Sequence, residues 1–207
     1  MTPAESTVVV LLVDLGGLAC RFRPEERLHA LARAASLAEA EVQARIWDSG
    51  LDARMDRGDL SLHGAHRAMC DALGVELVLD ELCRLWALAF APDKEVLDLV
   101  DVARMRARAA LLTDNGPLLR HGLARWLPEV HRRFDPQLFS CELRAVKPAP
   151  ECFARALVRL GSRADRTLLV DDSARNVDGA RAAGLRAERC ASAADLVGAL
   201  TVHGVLG

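Results

Sequence analysis

The sequence predicts an α/β protein, a doubly wound, Rossmann-like parallel sheet with an inserted all-helical cap. Three observations predict it. Short apolar runs at residues 8–13, 109–112 and 167–170 lack alternation and end abruptly in Asp14, in Thr113 and Asp114, and in Asp171 and Asp172. Strands buried on both faces of a parallel sheet have this pattern. Helical patterning follows the second and third runs, which gives the strand–helix–strand repeat of a doubly wound sheet with right-handed crossovers. The long segment between the first and second runs, about residues 20–91, reads as helices only.

In chain order, residues 8–13 are too short to span a bilayer, follow no basic leader and are stopped by Asp14, so they read as a strand and not as an export signal. Within the insertion, Ser36 with Glu39 predicts a capping box, Gly74 stops a second helix, and Asp80 precedes a third that runs to Pro92. The second strand, 109–112, leads into a helix over 117–126. A helix over 150–160 is stopped by Gly161, and one over 174–183 by Gly184. The expected division is a core of residues 1–19 and 92–207 with a cap of residues 20–91. Ligands of such sheets bind outside the carboxyl ends of the strands. Asp14, Thr113, Asp171 and Asp172 should therefore meet at one crevice, beneath the cap.

A formal net charge of -2 gives no footprint for nucleic acid or an anionic membrane surface, and neither partner is expected. Six scattered cysteines without a C-x-x-C pair read as reduced thiols of a cytoplasmic protein. The basic residues are nearly all arginine, and the only lysines are Lys94 and Lys147.

A carboxylate at a strand end can attack phosphorus and split hydrolysis into formation and breakdown of an aspartyl-phosphate. Asp14 is the candidate, although such an aspartate also serves as a turn former or helix cap. Asp171 and Asp172 repel each other unless a cation sits between them, and magnesium accepts a few carboxylates with phosphate oxygens and water. The pair alone would also suit an acidic helix start capped by Ser173. Thr113, the backbone amide of Asp114 after it, and Asn115 are candidate donors to a phosphoryl oxygen. Lys147, in a stretch stiffened by Pro148 and Pro150, is a compact charge in a chain otherwise built with arginine.

Four segments, D-L-G-G-L at 14–18, L-L-T-D-N at 111–115, V-K-P-A-P-E-C-F at 146–153 and D-D-S-A-R-N-V-D-G-A-R-A-A-G at 171–184, resemble in order the four motifs of the haloacid dehalogenase-like hydrolases. The insertion resembles the small helical cap of subfamily I, which holds sugar-phosphate phosphatases and the phosphatase domain of soluble epoxide hydrolase. Trp47-Asp-Ser-Gly50 and Met55-Asp-Arg-Gly-Asp-Leu60 are similar to that group. The resemblance implies a magnesium-dependent phosphatase of small phosphorylated metabolites. Asp14 would be nucleophile and metal ligand, with the Gly16 carbonyl also on the metal. Thr113 would bind phosphate and Lys147 would balance charge. Asp172 would hold magnesium directly and Asp171 through water.

One position departs from this pattern. Phosphatases of the superfamily usually carry a second aspartate two residues after the nucleophile as general acid, and here that residue is Gly16. A positioned acid contributes roughly a hundred- to ten-thousandfold in rate, so two other readings stand beside the phosphatase. One is a catalytically impaired binding or scaffold protein, and the other a haloacid dehalogenase, although dehalogenases usually lack the acidic pair. Phosphonate cleavage through a cap lysine is disfavoured, because residues 20–93 contain no lysine. Substrate and oligomeric state stay open, a homodimer included.

Overall fold

The computed structural model describes residues 7–206, and residues 1–6 and 207 of the expected core lie outside them. The first apolar run forms β1 (Val10–Val13), with all four side chains buried. After the Asp14 loop come β2 (Cys20–Phe22), α1 (Pro24–Ala35) and α2 (Glu39–Gln43). A π-helical turn at Ala44–Asp48 leads to α3 (Leu51–Asp56), α4 (Leu62–Leu73) and α5 (Leu79–Ala87). β3 (Phe90–Pro92) then pairs antiparallel with β2, setting Phe22 opposite Phe90.

That ribbon corrects the expectation of an insertion made of helices only. Its strands are three residues each, too short for periodicity to reveal, and they pair from opposite ends of the insertion. The capping box at Ser36 is also corrected. Leu37 donates back to the Ala32 carbonyl at 3.0 Å, which uses Ser36 to close α1 in the left-handed conformation (φ 54°). α2 therefore starts after Ala38, whose N–H donates to Glu41 at 3.2 Å. Gly74 ends α4 as expected (φ 70°), whereas α5 begins before Asp80 and stops at Ala87, short of Pro92.

The remainder alternates. α6 (Lys94–Ala103) precedes β4 (Arg108–Thr113), which is followed by α7 (Pro117–Trp126), α8 (Pro128–His131), β5 (Gln137–Phe139) and α9 (Ser140–Leu143). Then come α10 (Pro150–Leu160), a 3-10 turn at Ala164–Arg166, β6 (Thr167–Asp171), α11 (Ala174–Ala182), β7 (Arg186–Arg189) and α12 (Ala193–Val202). The parallel sheet runs β5-β4-β1-β6-β7.

Alternate residues of the central strands feed the two faces. Leu11, Val13, Leu111, Leu168 and Val170 share one hydrophobic cluster with Leu31, Ile46, Met69 and Trp86 of the insertion. Val10, Leu12, Leu112 and Leu169 pack on the other face with Phe153, Val177 and Ala180. Being buried on both sides is why the middles of these strands are apolar without alternation. The register does the rest: Val13 pairs with Leu111 on one side and Val170 on the other. The residues after them are Asp14, Leu112 and Asp171, so both aspartates leave the sheet at the same level.

Candidate active site

Neighbouring strands lie about 4.8 Å apart, so Asp14 and Asp171 are forced close together at the end of β1 and β6. Lys147 enters between them. Its Nζ donates to Asp14 Oδ1 at 2.6 Å, to Asp171 Oδ2 at 2.7 Å and to the Leu112 carbonyl at 3.2 Å, with the lysine side chain only 1% exposed. Burial pushes the Asp14 carboxyl up; Lys147 pulls it back and Asp171 and Asp172 push it further, leaving it at about 7. Burial alone would lower the Lys147 ammonium, but Asp14, Asp171 and Asp114 together hold it above its ordinary value. The cluster thus gathers more negative than positive charge in a dry place, which is the setting that a divalent cation relieves.

Asp171 is fully buried, and its carboxylate also accepts from the Ser173 N–H at 3.0 Å and from Asn176 Nδ2 at 3.0 and 3.2 Å. Asp172 is more open, and its carboxyl is raised by burial and then by Asp171. Asp14, Asp171 and Asp172 each offer an oxygen, all within 4.8 Å of one another. Gly17 makes this approach possible. It has φ +88°, and a Cβ there would lie 2.3 Å from Asp172 Oδ2. No backbone N–H among the described residues donates to the Gly16 carbonyl. These oxygen donors fit magnesium, a hard cation that prefers few carboxylates and keeps waters.

Thr113, at the end of β4, is 1% exposed. Asn115 donates from Nδ2 to Thr113 Oγ1 at 2.7 Å, and its N–H donates to Ser140 Oγ at 3.0 Å. The Thr113 hydroxyl therefore accepts from Asn115 and keeps its own hydrogen for another oxygen. The Asp114 carboxylate accepts the Lys147 N–H at 3.0 Å. On the far side of that loop, a Cβ on Gly179 would meet the Pro148 carbonyl at 2.6 Å. Glycine in α11 lets the helix press on the loop that presents Lys147.

All the expected site residues thus gather around the carboxyl ends of β1, β4 and β6. Sequence reasoning assigned no role to Asn176, although its spacing from Asp171 within the helix start was a usable signal. Ser140, whose partners are far away in sequence, left none. The Trp47 and Trp86 rings stack at 6.1 Å within the insertion, in line with a packing role. Gly16 does not need glycine for its backbone. A Cβ there would meet Phe90 Cε1 at 3.4 Å and Phe22 Cδ2 at 3.6 Å, which is ordinary contact.

Fold and site together define an α/β protein with an acidic crevice at the carboxyl edge of its parallel sheet. Residues 8–184 match the family model described as haloacid dehalogenase-like hydrolase, and the chain belongs to that family. A curated relative, phosphatase MT3486 from Mycobacterium tuberculosis, is 34% identical over 111 residues, 52% of this chain and 51% of that protein. The chain thus spans about half the length of that relative. A predicted HAD-like hydrolase from Porphyromonas gingivalis superposes with TM-score 0.74 at 22% identity, over 89% of this chain and 91% of that one. A HAD family enzyme from Bacteroides thetaiotaomicron, in complex with magnesium and inorganic phosphate, gives 0.72 at 19%, over 88% and 93%. The L-2-haloacid dehalogenase from Xanthobacter autotrophicus gives 0.60 at 18%, over 88% and 77%. No helix among the described residues is long and apolar enough to cross a membrane.

Proposed function

We propose that the chain is a magnesium-dependent phosphatase of small phosphorylated metabolites that works through an aspartyl-phosphate on Asp14, with residues 20–91 as its cap. The observation that carries this reading is Lys147 held between Asp14 and Asp171, with Asp172 beside them. The relative named a phosphatase and the neighbour holding magnesium and phosphate support it. The six free cysteines suit a cytoplasmic setting.

Asp14, the Gly16 carbonyl and Asp172 would hold magnesium directly, and Asp171 through water. Bound there, the ion supplies neutralisation of the phosphoryl oxygens. Asp14 attacks phosphorus in line, one carboxylate oxygen remaining on Lys147 so that the other is aimed. Thr113 donates its hydroxyl hydrogen to a phosphoryl oxygen, joined by the Asp114 amide, while Asn115 fixes the Thr113 rotamer. Lys147 balances the charge that builds between nucleophile and phosphate. Asn176 and Ser173 keep the Asp171 carboxylate from rotating away.

The test is phosphate release from an aryl phosphate with magnesium or with chelator, alongside Asp14→Asn. Turnover that needs magnesium and disappears in Asp14→Asn is expected. Chloride release from haloacids without metal would identify a dehalogenase instead, and absence of both activities in a folded protein would identify a binding module. Beryllofluoride, a phosphoryl mimic, should stabilise the protein only when magnesium is present.

A further inference from the structure

The phosphatase reading leaves one duty unassigned, because Gly16 cannot protonate a leaving group. The seam between insertion and core holds an acid suited to it. Asp56 ends α3, and three contacts fasten that end onto the loop after β4 and onto the start of α9. The Asp56 carbonyl accepts Ser140 Oγ at 2.7 Å. A Cβ on Gly116 would lie 2.8 Å from Met55 Cβ, and one on Gly58 2.1 Å from the Cys141 carbonyl. Ser140 in turn accepts the Asn115 N–H, and Asn115 holds the Thr113 hydroxyl. The backbone at Asp56 is thereby tied through Ser140 and Asn115 to Thr113, the expected phosphate donor.

Its surroundings favour the neutral acid. Burial comes first, followed by repulsion from Asp52 on its own helix and from Asp114 across the seam. Arg27 and Arg57 oppose these, and the carboxyl ends at about 8. Cys141, the remaining titratable neighbour, is a thiol pushed up to about 11, so it stays uncharged. Arg27 is 4% exposed, donates to the Trp86 carbonyl at 2.9 Å and lies 4.1 Å above the Trp86 ring. One buried guanidinium thus faces two carboxyls, and its Nη2 has no hydrogen-bond partner. Burial raises the Asp52 carboxyl too, with Arg27 and then Trp47 pulling it back. Among the described residues nothing donates to the Asp56 carboxyl, in contrast to Asp14, Asp114 and Asp171. A carboxylic acid kept neutral by its site can donate a proton at neutral pH.

We propose that Asp56 is the general acid and base of this enzyme, supplied from the insertion in place of the carboxylate missing at Gly16. The proposal rests on the phosphatase reading. As a carboxylate oxygen of Asp14 bonds to phosphorus, the ester P–O bond breaks. The departing oxygen keeps the bonding pair and takes the Asp56 proton. Water then attacks phosphorus and passes a proton to the Asp56 carboxylate, the bond from phosphorus to Asp14 breaks, and inorganic phosphate leaves.

The experiment compares wild type, Asp56→Asn and Asp56→Glu on p-nitrophenyl phosphate and on a simple alkyl phosphate, across pH with magnesium. In Asp56→Asn, kcat on the alkyl ester should fall roughly a hundred- to ten-thousandfold, the range for a positioned acid. On the aryl ester, whose leaving group needs little protonation, the fall should be under about tenfold. KM should stay within a few-fold, and Asp56→Glu should recover part of the alkyl activity. The wild-type alkyl rate should decline above pH about 8, where Asp56 loses its proton, and Asp56→Asn should lose that limb. Equal losses on both esters, or no loss on either, would overturn the role of Asp56 alone. Phosphate release that survives Asp14→Asn, or none from wild type, would overturn the phosphatase reading and this proposal with it. If Asp56→Asn does not fold, a wild-type alkyl rate with no alkaline limb overturns the assignment.

Discussion

Lys147 Nζ lies 2.6 Å from Asp14 Oδ1 and 2.7 Å from Asp171 Oδ2, so one ammonium ties the ends of β1 and β6 together. The niche takes a point charge with three donors, all used, the third on the Leu112 carbonyl. A planar guanidinium is larger and cannot aim its donors in this way. Lys147→Arg should therefore lose at least about a hundredfold in kcat, comparable to losing one oriented electrostatic contact. Steady-state kinetics of a folded Lys147→Arg protein checks this, and wild-type rates would return Lys147 to a structural role.

Asn176 holds both oxygens of Asp171. Removing an outer partner that orients a metal-site carboxylate typically costs about ten- to a hundredfold in affinity or activity. Asn176→Ala should raise the magnesium concentration for half-maximal activity by that factor while leaving kcat at saturating magnesium less affected. A magnesium titration of the phosphatase rate measures both.

Gly16 and Gly17 are adjacent and should respond oppositely to alanine. At Gly17 the left-handed backbone (φ +88°) costs an L-residue about 1–2 kcal/mol, and its Cβ would collide with Asp172. Gly17→Ala should lose stability and weaken magnesium binding together. Gly16→Ala meets only ring carbons at ordinary distance and should stay within about 1 kcal/mol of wild type. Thermal melts with and without magnesium separate the two cases.

Asp56 should make stability depend on pH. Its carboxyl moves from an ordinary 3.8 to about 8 in the folded protein. Between these values the unfolded chain releases the proton and the folded chain keeps it, so stability falls as pH rises through that window and levels off above it. Asp56→Asn carries no such proton. Its melting temperature should exceed that of wild type by several degrees near pH 8, with the gain shrinking toward pH 4. A constant offset between the two proteins across that range would contradict the raised carboxyl.

The parallel sheet and the residues at its carboxyl edge are legible in the order of residues alone. Residues 10–13, 109–112 and 168–170 are apolar throughout because helices cover both faces, and that pattern is local. Each run ends in a polar residue, and the parallel register does not need to be known for Asp14, Thr113 and Asp171 to fall at one edge. Lys147, 133 residues from Asp14, stood out by being one of two lysines. Which of the oxygens there are already taken depends on contacts made only in the folded chain. Asn176 and Ser173 occupy Asp171, Asp114 is spent on the Lys147 loop, and Asn115 serves Thr113. The β2–β3 ribbon and the seam of Arg27, Asp52 and Asp56 likewise had no local signature. Their residues meet across the fold, and the energies that set them, desolvation and the balance of charges in a dry space, depend on distance and burial, which the order of residues does not carry.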